Sequence, residues 1–175
     1  MTLYKFESAA TWLNGNSLLG HIEELELPEI EWEMDEHESI GLRGVSEFPK
    51  RENPLEATIT WADYSPDLAA AAADPWTSVQ LQIRANFGQY DGGSKLGDVL
   101  QVITLAGRFK TNTTGTYSSD EYERESMMAV DYFKENWNGV DLLEYGVNPP
   151  IYRTGAVGAN LGTDLFAQLR ANLGL

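Results

Sequence analysis

Residues 21–34, HIEELELPEIEWEM, alternate apolar and acidic side chains around Pro28. Leu25 and Leu27 fall on one side, Glu24 and Glu26 on the other. Past the proline, Ile30, Trp32 and Met34 oppose Glu29, Glu31 and Glu33. A period of two over this length predicts β-strand with one dry face and one wet, acidic face. Leu25, Leu27, Ile30, Trp32 and Met34 are expected to turn to the core.

The same pattern recurs on both sides. Upstream, residues 10–13 run into Asn14-Gly15, the strongest short-range signal for a β-hairpin. Downstream, residues 55–62 alternate again, and Val79 to Phe87 sets Val79, Leu81, Ile83, Ala85 and Phe87 against Gln80, Gln82, Arg84 and Asn86. Asp91-Gly92-Gly93 turns the chain into Val99–Lys110. Residues 111–121 read as a polar loop, 124–134 as a strand, Asn138-Gly139 as a turn and 140–145 as a weak strand. Ser65-Pro66-Asp67 opens an alanine-rich helix to Ala73, closed by Asp74-Pro75. Residues 146–162 are turn-rich. The end, TDLFAQLRANLGL, reads as a short amphipathic helix with Thr163 as N-cap, Asp164 in the first turn and Gly174 as C-cap. About seven strands joined by turns rather than helical crossovers predict a mainly β fold, an antiparallel sandwich or barrel with one or two short helices.

Residues 35–54 break the alternation, with two glycines, two prolines and mixed charge. A loop of this length inside a compact domain is commonly functional. Ile40, Leu42, Val45 and Phe48 within it point to docking, since a solvated linker has no use for them. The segment 37–54 is therefore expected to be a long interaction loop between subunits. At the other end, Leu165, Phe166, Leu169 and Leu173 fall at helical spacing. They predict a docking helix, packed on the sheet or on a neighbour, with Arg170 aimed at a carboxylate.

The 175 residues predict a single domain. With 42% hydrophobic residues, 22% charged residues and 19 aromatics, the chain can bury a real core. Twelve Lys and Arg face twenty-seven Asp and Glu, for a net charge of −15. Such a balance disfavours gripping nucleic acid or anionic lipid, both of which need clustered cations. It leaves room for nucleic acid as a passenger. The absence of cysteine excludes disulfides, cysteine-zinc sites and thiol catalysis. No apolar run suits a membrane span, and the first fifteen residues predict no secretory leader.

Catalytic chemistry finds little support. No phosphate loop or Gly-x-Ser-x-Gly elbow occurs. His21 and His37 lie sixteen apart; His37 with Asp35 or Glu36 is a thin metal candidate, and a solvated loop histidine explains it as well. The paired glutamates read as a solvated strand face rather than a catalytic dyad. Residues 111–121 match no EF-hand calcium loop. Trp12, Trp32, Trp61, Trp76 and Trp137 are expected mostly in the core, with a carbohydrate-binding platform as the alternative. The expectation is no enzyme, no metal and no cofactor.

Two segments carry a family likeness. The first is Thr11-Trp12-Leu13-Asn14-Gly15, followed by Ser17, Gly20 and Leu25-Glu26-Leu27-Pro28. The second is Gly162-Thr163-Asp164-Leu165, Leu169-Arg170, Asn172 and Leu173-Gly174-Leu175. Together they resemble the major tail tube proteins of contractile-tailed bacteriophages, a family shared with R-type pyocin tubes. Glu29 stands where relatives carry Lys, and residues 146–162, with Pro149-Pro150, form a longer stretch than usual. The resemblance implies a virion structural protein, assembled in the host cytoplasm, whose hexameric rings join strands into a tube barrel. Its partners would be further copies of itself, the tail sheath protein, the baseplate and the tail terminator, with DNA as a non-specific passenger. A tube subunit of a related injection machine, or a carbohydrate-binding sandwich on a virion, are the alternatives. Within a tube, Glu24, Glu26, Glu29, Glu31 and Glu33 could line the lumen and repel DNA. The competing assignment puts them on the outer wall and gives the lumen to the Gln80, Gln82 and Arg84 face.

Overall fold

Three glycine turns set the register. Asn14-Gly15, Gly92-Gly93 and Asn138-Gly139 all take positive φ, with Asn14 at 48° and Asn138 at 50°. That is the backbone of a two-residue hairpin matched to strand twist. In the computed structural model, which describes residues 1–38, 43–120, 122–155, 162 and 164–175, each turn joins two antiparallel strands.

In chain order the strands are β1 (Thr2–Leu13), β2 (Asn16–Ser17), β3 (Ile22–Glu26), β4 (Trp32–His37), β5 (Ser46–Glu52) and β6 (Leu55–Trp61). Helix α1 (Pro66–Ala73) follows, then β7 (Val79–Asp91), β8 (Ser94–Asn112), β9 (Thr116–Tyr117), β10 (Tyr122–Trp137), β11 (Val140–Gly146) and β12 (Ile151–Thr154). Helix α2 (Ala167–Leu173) ends the chain. Ten strands share one sheet: seven run in the order β12-β11-β10-β8-β7-β1-β2, and β6, which carries β3, and β9 pair with β10 off that path, while β4 and β5 form a separate ribbon. One edge of β10 serves two partners in succession. Residues 124–130 pair with β6, which carries β3, and residues 132–137 pair with β11.

Between those two stretches the sheet bends. A bulge interrupts β10 between Val130 and Tyr132, opposite Gly107 of β8, and bulges kink the strand that holds them. A Cβ at Gly107 would lie 1.9 Å from the Ala129 carbonyl oxygen, so the strands approach here as only glycine permits. The bend folds β3 and β6 back over β7 and β8. Ala57, Ile59 and Trp61 of β6 share one core with Leu81 and Ile83 of β7, Leu105 and Phe109 of β8, and Met128 and Phe133 of β10. Helix α1 closes the core with Leu68 and Ala72. Its N-cap Ser65 accepts a hydrogen bond from the Leu68 amide, and Pro66 opens the first turn. The sheet is antiparallel throughout and does not close on itself.

Several elements differ from the sequence reading. β1 begins at Thr2, not residue 10, because a bulge at Glu7 shifts its register against β7 and hides the alternation. The 21–34 stretch gives strands on each side of Pro28, as expected, but residues 27–31 leave the ladder and the two strands belong to different sheets. Leu25 and Ile30 pack on the core, but Leu27 and Met34 are exposed. Residues 46–52, expected as loop, pair with β4. Pro49 fits there because a two-stranded ribbon leaves each strand an open edge, where a missing N–H costs nothing. Residues 151–154 of the turn-rich stretch form β12. Helix α2 begins at Ala167 with Phe166 at its N-cap position; the expected cap, Thr163, lies outside the described residues. Of the tryptophans expected in the core, only Trp61 is fully buried, and Trp76 is 88% exposed.

Candidate assembly surfaces

The outward side of the bent sheet's larger limb is polar. Arg84 and Gln82 of β7 stand opposite Val102 and Thr104 of β8, which in turn oppose Asn136 and Lys134 of β10. Glu144 of β11 faces Lys134, and Arg153 of β12 faces Glu144. Trp12, Gly15, Gln80, Gln82 and Arg84 line a shallow depression of about 300 Å³ on this side.

Three cations here, Lys95, Lys134 and Arg153, are held by carboxylates, whereas Arg84 donates to the Gln82 side-chain oxygen at 3.3 Å. Lys134 Nζ lies 2.9 Å from Asp141 Oδ2, and Arg153 Nη1 lies 3.4 Å from Glu144 Oε2. Asn136 donates to Asp141 at 2.7 Å; that bond, with the nearby Lys134, holds the Asp141 carboxyl below its usual range. Burial, reinforced by the Glu144 charge accepting its hydrogen bond, pushes the Tyr132 hydroxyl up to about 12. Further along β8, Lys95 Nζ bridges Asp98 at 2.7 Å and Glu7 at 2.8 Å. Those two carboxylates keep its ammonium well above the ordinary lysine range.

The five candidate glutamates do not share one face. Glu24 and Glu26 sit on β3 opposite Thr60 and Thr58, on the side of the smaller limb that faces away from the core. Glu29 and Glu31 lie in the connector, where Asn53 Nδ2 donates to Glu31 at 2.9 Å. With Glu26 and Glu56 they line an acidic groove. Glu33 is on the ribbon, ion-paired with Arg51. The strands turn at Pro28, so alternation before and after it refers to different sheets.

Of the four loop hydrophobes, Ile40 and Leu42 lie outside the described residues. Val45 and Phe48 are exposed, and the Phe48 ring stands edge-on to the His37 ring at 6.2 Å. The root of the ribbon is fixed by Trp32, whose ring packs on Tyr152 and Phe166. Trp32, expected in the core, is half-buried at this contact, and an aromatic in an acidic strand is the only sequence signal of its role at the ribbon root.

The C-terminal helix is held by polar contacts rather than by its leucines. Leu165, Leu169 and Leu173 are all exposed in the protomer, and only Phe166 and Arg170 turn inward. Arg170 forms an ion pair with Asp164 and donates to the Pro150 carbonyl at 2.6 Å. Asp164 also accepts from the amides of Tyr152 and Phe166. Burial pushes the Asp164 carboxyl up, but Arg170 and the two amides outweigh it and hold it at about 2. The exposed Leu165 and Leu169 line an apolar groove with Trp32, Pro49, Tyr145 and Val147.

Among the described residues no three His, Cys, Asp or Glu side chains are grouped to hold a metal ion. No described helix is long and apolar enough to cross a membrane.

The sequence profile of the family described as phage tail tube protein FII matches residues 4–174. Among solved structures, the chain is similar to one described as the sheath/tube terminator of an extracellular contractile injection system, PVC, in the extended state. The TM-score is 0.56 and the identity 9%, over 73% of this chain and 92% of that one. At that identity the likeness is one of fold. No curated protein matches.

Proposed function

The chain belongs to the phage tail tube protein FII family, and from that premise we propose that it stacks as hexameric rings into the inner tube of a contractile tail and forms the conduit for DNA. The family is structural, and the chain is not an enzyme. The tube is assembled in the host cytoplasm and ends in the virion, with sheath, baseplate and tail terminator as its partners. The sheet's larger limb contributes the strands of the tube wall.

One observation carries the choice of bore surface: on the polar side of the larger limb Lys95, Lys134 and Arg153 are paired with carboxylates of the same side, which leaves Arg84, hydrogen-bonded to Gln82, with no carboxylate partner among the described residues. A bore must pass a polyanion without gripping it. Free Lys and Arg would bind phosphate, whereas paired ones present little net field. The glutamates on β3 lie across the core from this surface, so both cannot face one lumen. We assign the lumen to the Gln80, Gln82 and Arg84 side, and Glu24 and Glu26 to the outer wall. Cryo-electron microscopy of the assembled protein tests both parts. Hollow rods of six-fold rings with Gln82 and Arg84 facing the axis are expected. A lumen lined by Glu24 and Glu26 would reverse the assignment, and a monomer at high concentration in the presence of a baseplate nucleus would end the tube reading.

A further inference from the structure

We propose that Arg84 and the depression beside it form a phosphodiester contact of the bore, one anion site per subunit, which touches the backbone of passing DNA and slows it. The proposal rests on the lumen assignment above and names what that surface binds.

Along the polar side of the larger limb three cations are already answered: Lys95 by Glu7 and Asp98, Lys134 by Asp141, and Arg153 by Glu144. Arg84 is the exception. It is exposed, in the middle of β7, and its one hydrogen bond among the described residues runs from Nε to Gln82 Oε1 at 3.3 Å. Nη1 and Nη2 are left unpaired among the described residues. A guanidinium steadied through Nε presents its outer N–H groups as a planar fork, the geometry that takes two oxygens of one phosphate group.

The surroundings suit an anion. The depression holds about 300 Å³, and Trp12, Gly15, Gln80 and Gln82 line it with Arg84, with no carboxylate among them. Across the sheet Arg84 faces Ala10 of β1 and Val102 of β8, and neither competes for its charge. The same row continues through Asn136 to Asp141, three strand spacings from Arg84, or about 14 Å. That exceeds the Debye length of about 8 Å at physiological salt. Along β7 the next residue on this side, Asn86, donates to Glu7 and Asp98, the two acids that Lys95 bridges. The Gln80 and Gln82 amides add neutral donors to the rim. Trp12 Nε1 is buried and has no hydrogen-bond partner among the described residues, so the wall holds an unmet donor as well. An occupant rich in acceptor oxygens and without donors answers these groups. A phosphodiester has that character, and a cation or an apolar chain does not.

One exposed guanidinium binds phosphate weakly, and each such contact adds about −0.9 to the slope of log affinity against log salt on duplex DNA. In a ring of copies the contacts repeat around and along the bore. Passing DNA is then held briefly at many points and firmly at none, on a surface whose other cations are neutralised.

Dimethyl phosphate is the probe for the site itself. Added to the full chain at low ionic strength, it is expected to shift the Arg84 side-chain and Trp12 indole resonances together, and Arg84→Gln is expected to abolish the Trp12 response. Equal shifts at Arg43 and Lys50 with none at Trp12 would show general attraction to cations and overturn the proposal. The second readout is DNA ejection from assembled particles. Arg84→Gln is expected to eject about threefold faster than the parent at about 50 mM salt, with the difference gone by about 200 mM. Arg84→Lys, which keeps the charge and loses the fork, is expected to fall between them. An unchanged ejection rate for Arg84→Gln at low salt would overturn the proposal even where the probe binds. Cryo-electron microscopy separates the site from the lumen assignment. Arg84 facing the axis but paired with a carboxylate of a neighbouring copy would sink the contact and leave the assignment standing; Glu24 and Glu26 on the axis would sink both.

Discussion

The Trp32 ring stands edge-on to Tyr152, centroids 5.5 Å apart and planes at 73°, and so ties the root of a projecting ribbon to the last strand of the main sheet. Edge-to-face pairs add about 0.5–1.5 kcal/mol beyond the area they bury. Trp32→Ala is expected to cost about 2 kcal/mol in all, read as a lower denaturation midpoint. The ribbon should also be cut faster by protease. Unchanged cleavage would show that Asn53 and Glu31 hold the root unaided.

Arg124 is buried with its guanidinium carbon 4.0 Å from the Trp61 ring centroid. Its Nη2 donates to Asn112 at 2.7 Å, while its Nε finds no acceptor among the described residues. A planar, weakly hydrated cation suits that place, and an ammonium does not. Arg124→Lys is expected to lose about 1–2 kcal/mol in denaturant melts. Equal stability of the two proteins would count against stacking as the source.

Asp164 gives a pH signature. Its folded pKa, about 2, lies below the ordinary value of 3.8. The ionised form is therefore favoured by folding. The resulting stability is full above about pH 4 and disappears as pH falls through about 2. Asp164→Asn should melt below the parent at neutral pH, with the difference shrinking between about pH 4 and 2. A difference independent of pH would point to packing rather than charge.

Gly107 admits no side chain. Its added Cβ would meet backbone, not a movable side chain, so Gly107→Ala must open the β8–β10 ladder at the bend. A loss of about 3 kcal/mol is expected, measured by calorimetry, against a near-neutral effect for Gly97→Ala, which meets nothing within 4 Å.

The lumen assignment predicts an asymmetry. Asp141→Asn releases Lys134 toward phosphate and should slow DNA ejection in a salt-dependent way. Replacing Glu29, Glu31 and Glu33 by Lys should leave ejection at the parent rate. The reverse ranking in an ejection assay would move the lumen to the acidic strand.

Local chemistry was legible where it acts alone. The three glycine turns, helix α1 with its Ser65 cap, and the alternation of β6 and β7 could all be read residue by residue. Legibility failed where one strand's period is reset by another. Glu7 shifts β1, the Val130–Tyr132 bulge bends β10, and Pro28 hands the alternation from the main sheet to the ribbon. The separate placement of Glu24 and Glu33 follows from that last break. Arg170 and Phe166, not the leucines of the same helix, hold α2, because the buried Asp164 and Tyr152 that receive them come from tertiary contact and leave no local pattern.

Two of the three turns that set the register are also the chain's two Asn-Gly sequences, the sites where a protein ages fastest by spontaneous deamidation. That reaction needs the following glycine nitrogen to swing onto the asparagine side-chain carbon. At Asn138 the Gly139 nitrogen is engaged, donating to Asn136 at 2.9 Å. At Asn14 it is the side-chain oxygen that is held, by the Gln80 amide at 2.8 Å. A particle that waits outside a cell has no means of replacing a damaged subunit. The same hydrogen bonds that fold these hairpins slow their chemical decay and lengthen the time for which the particle stays intact.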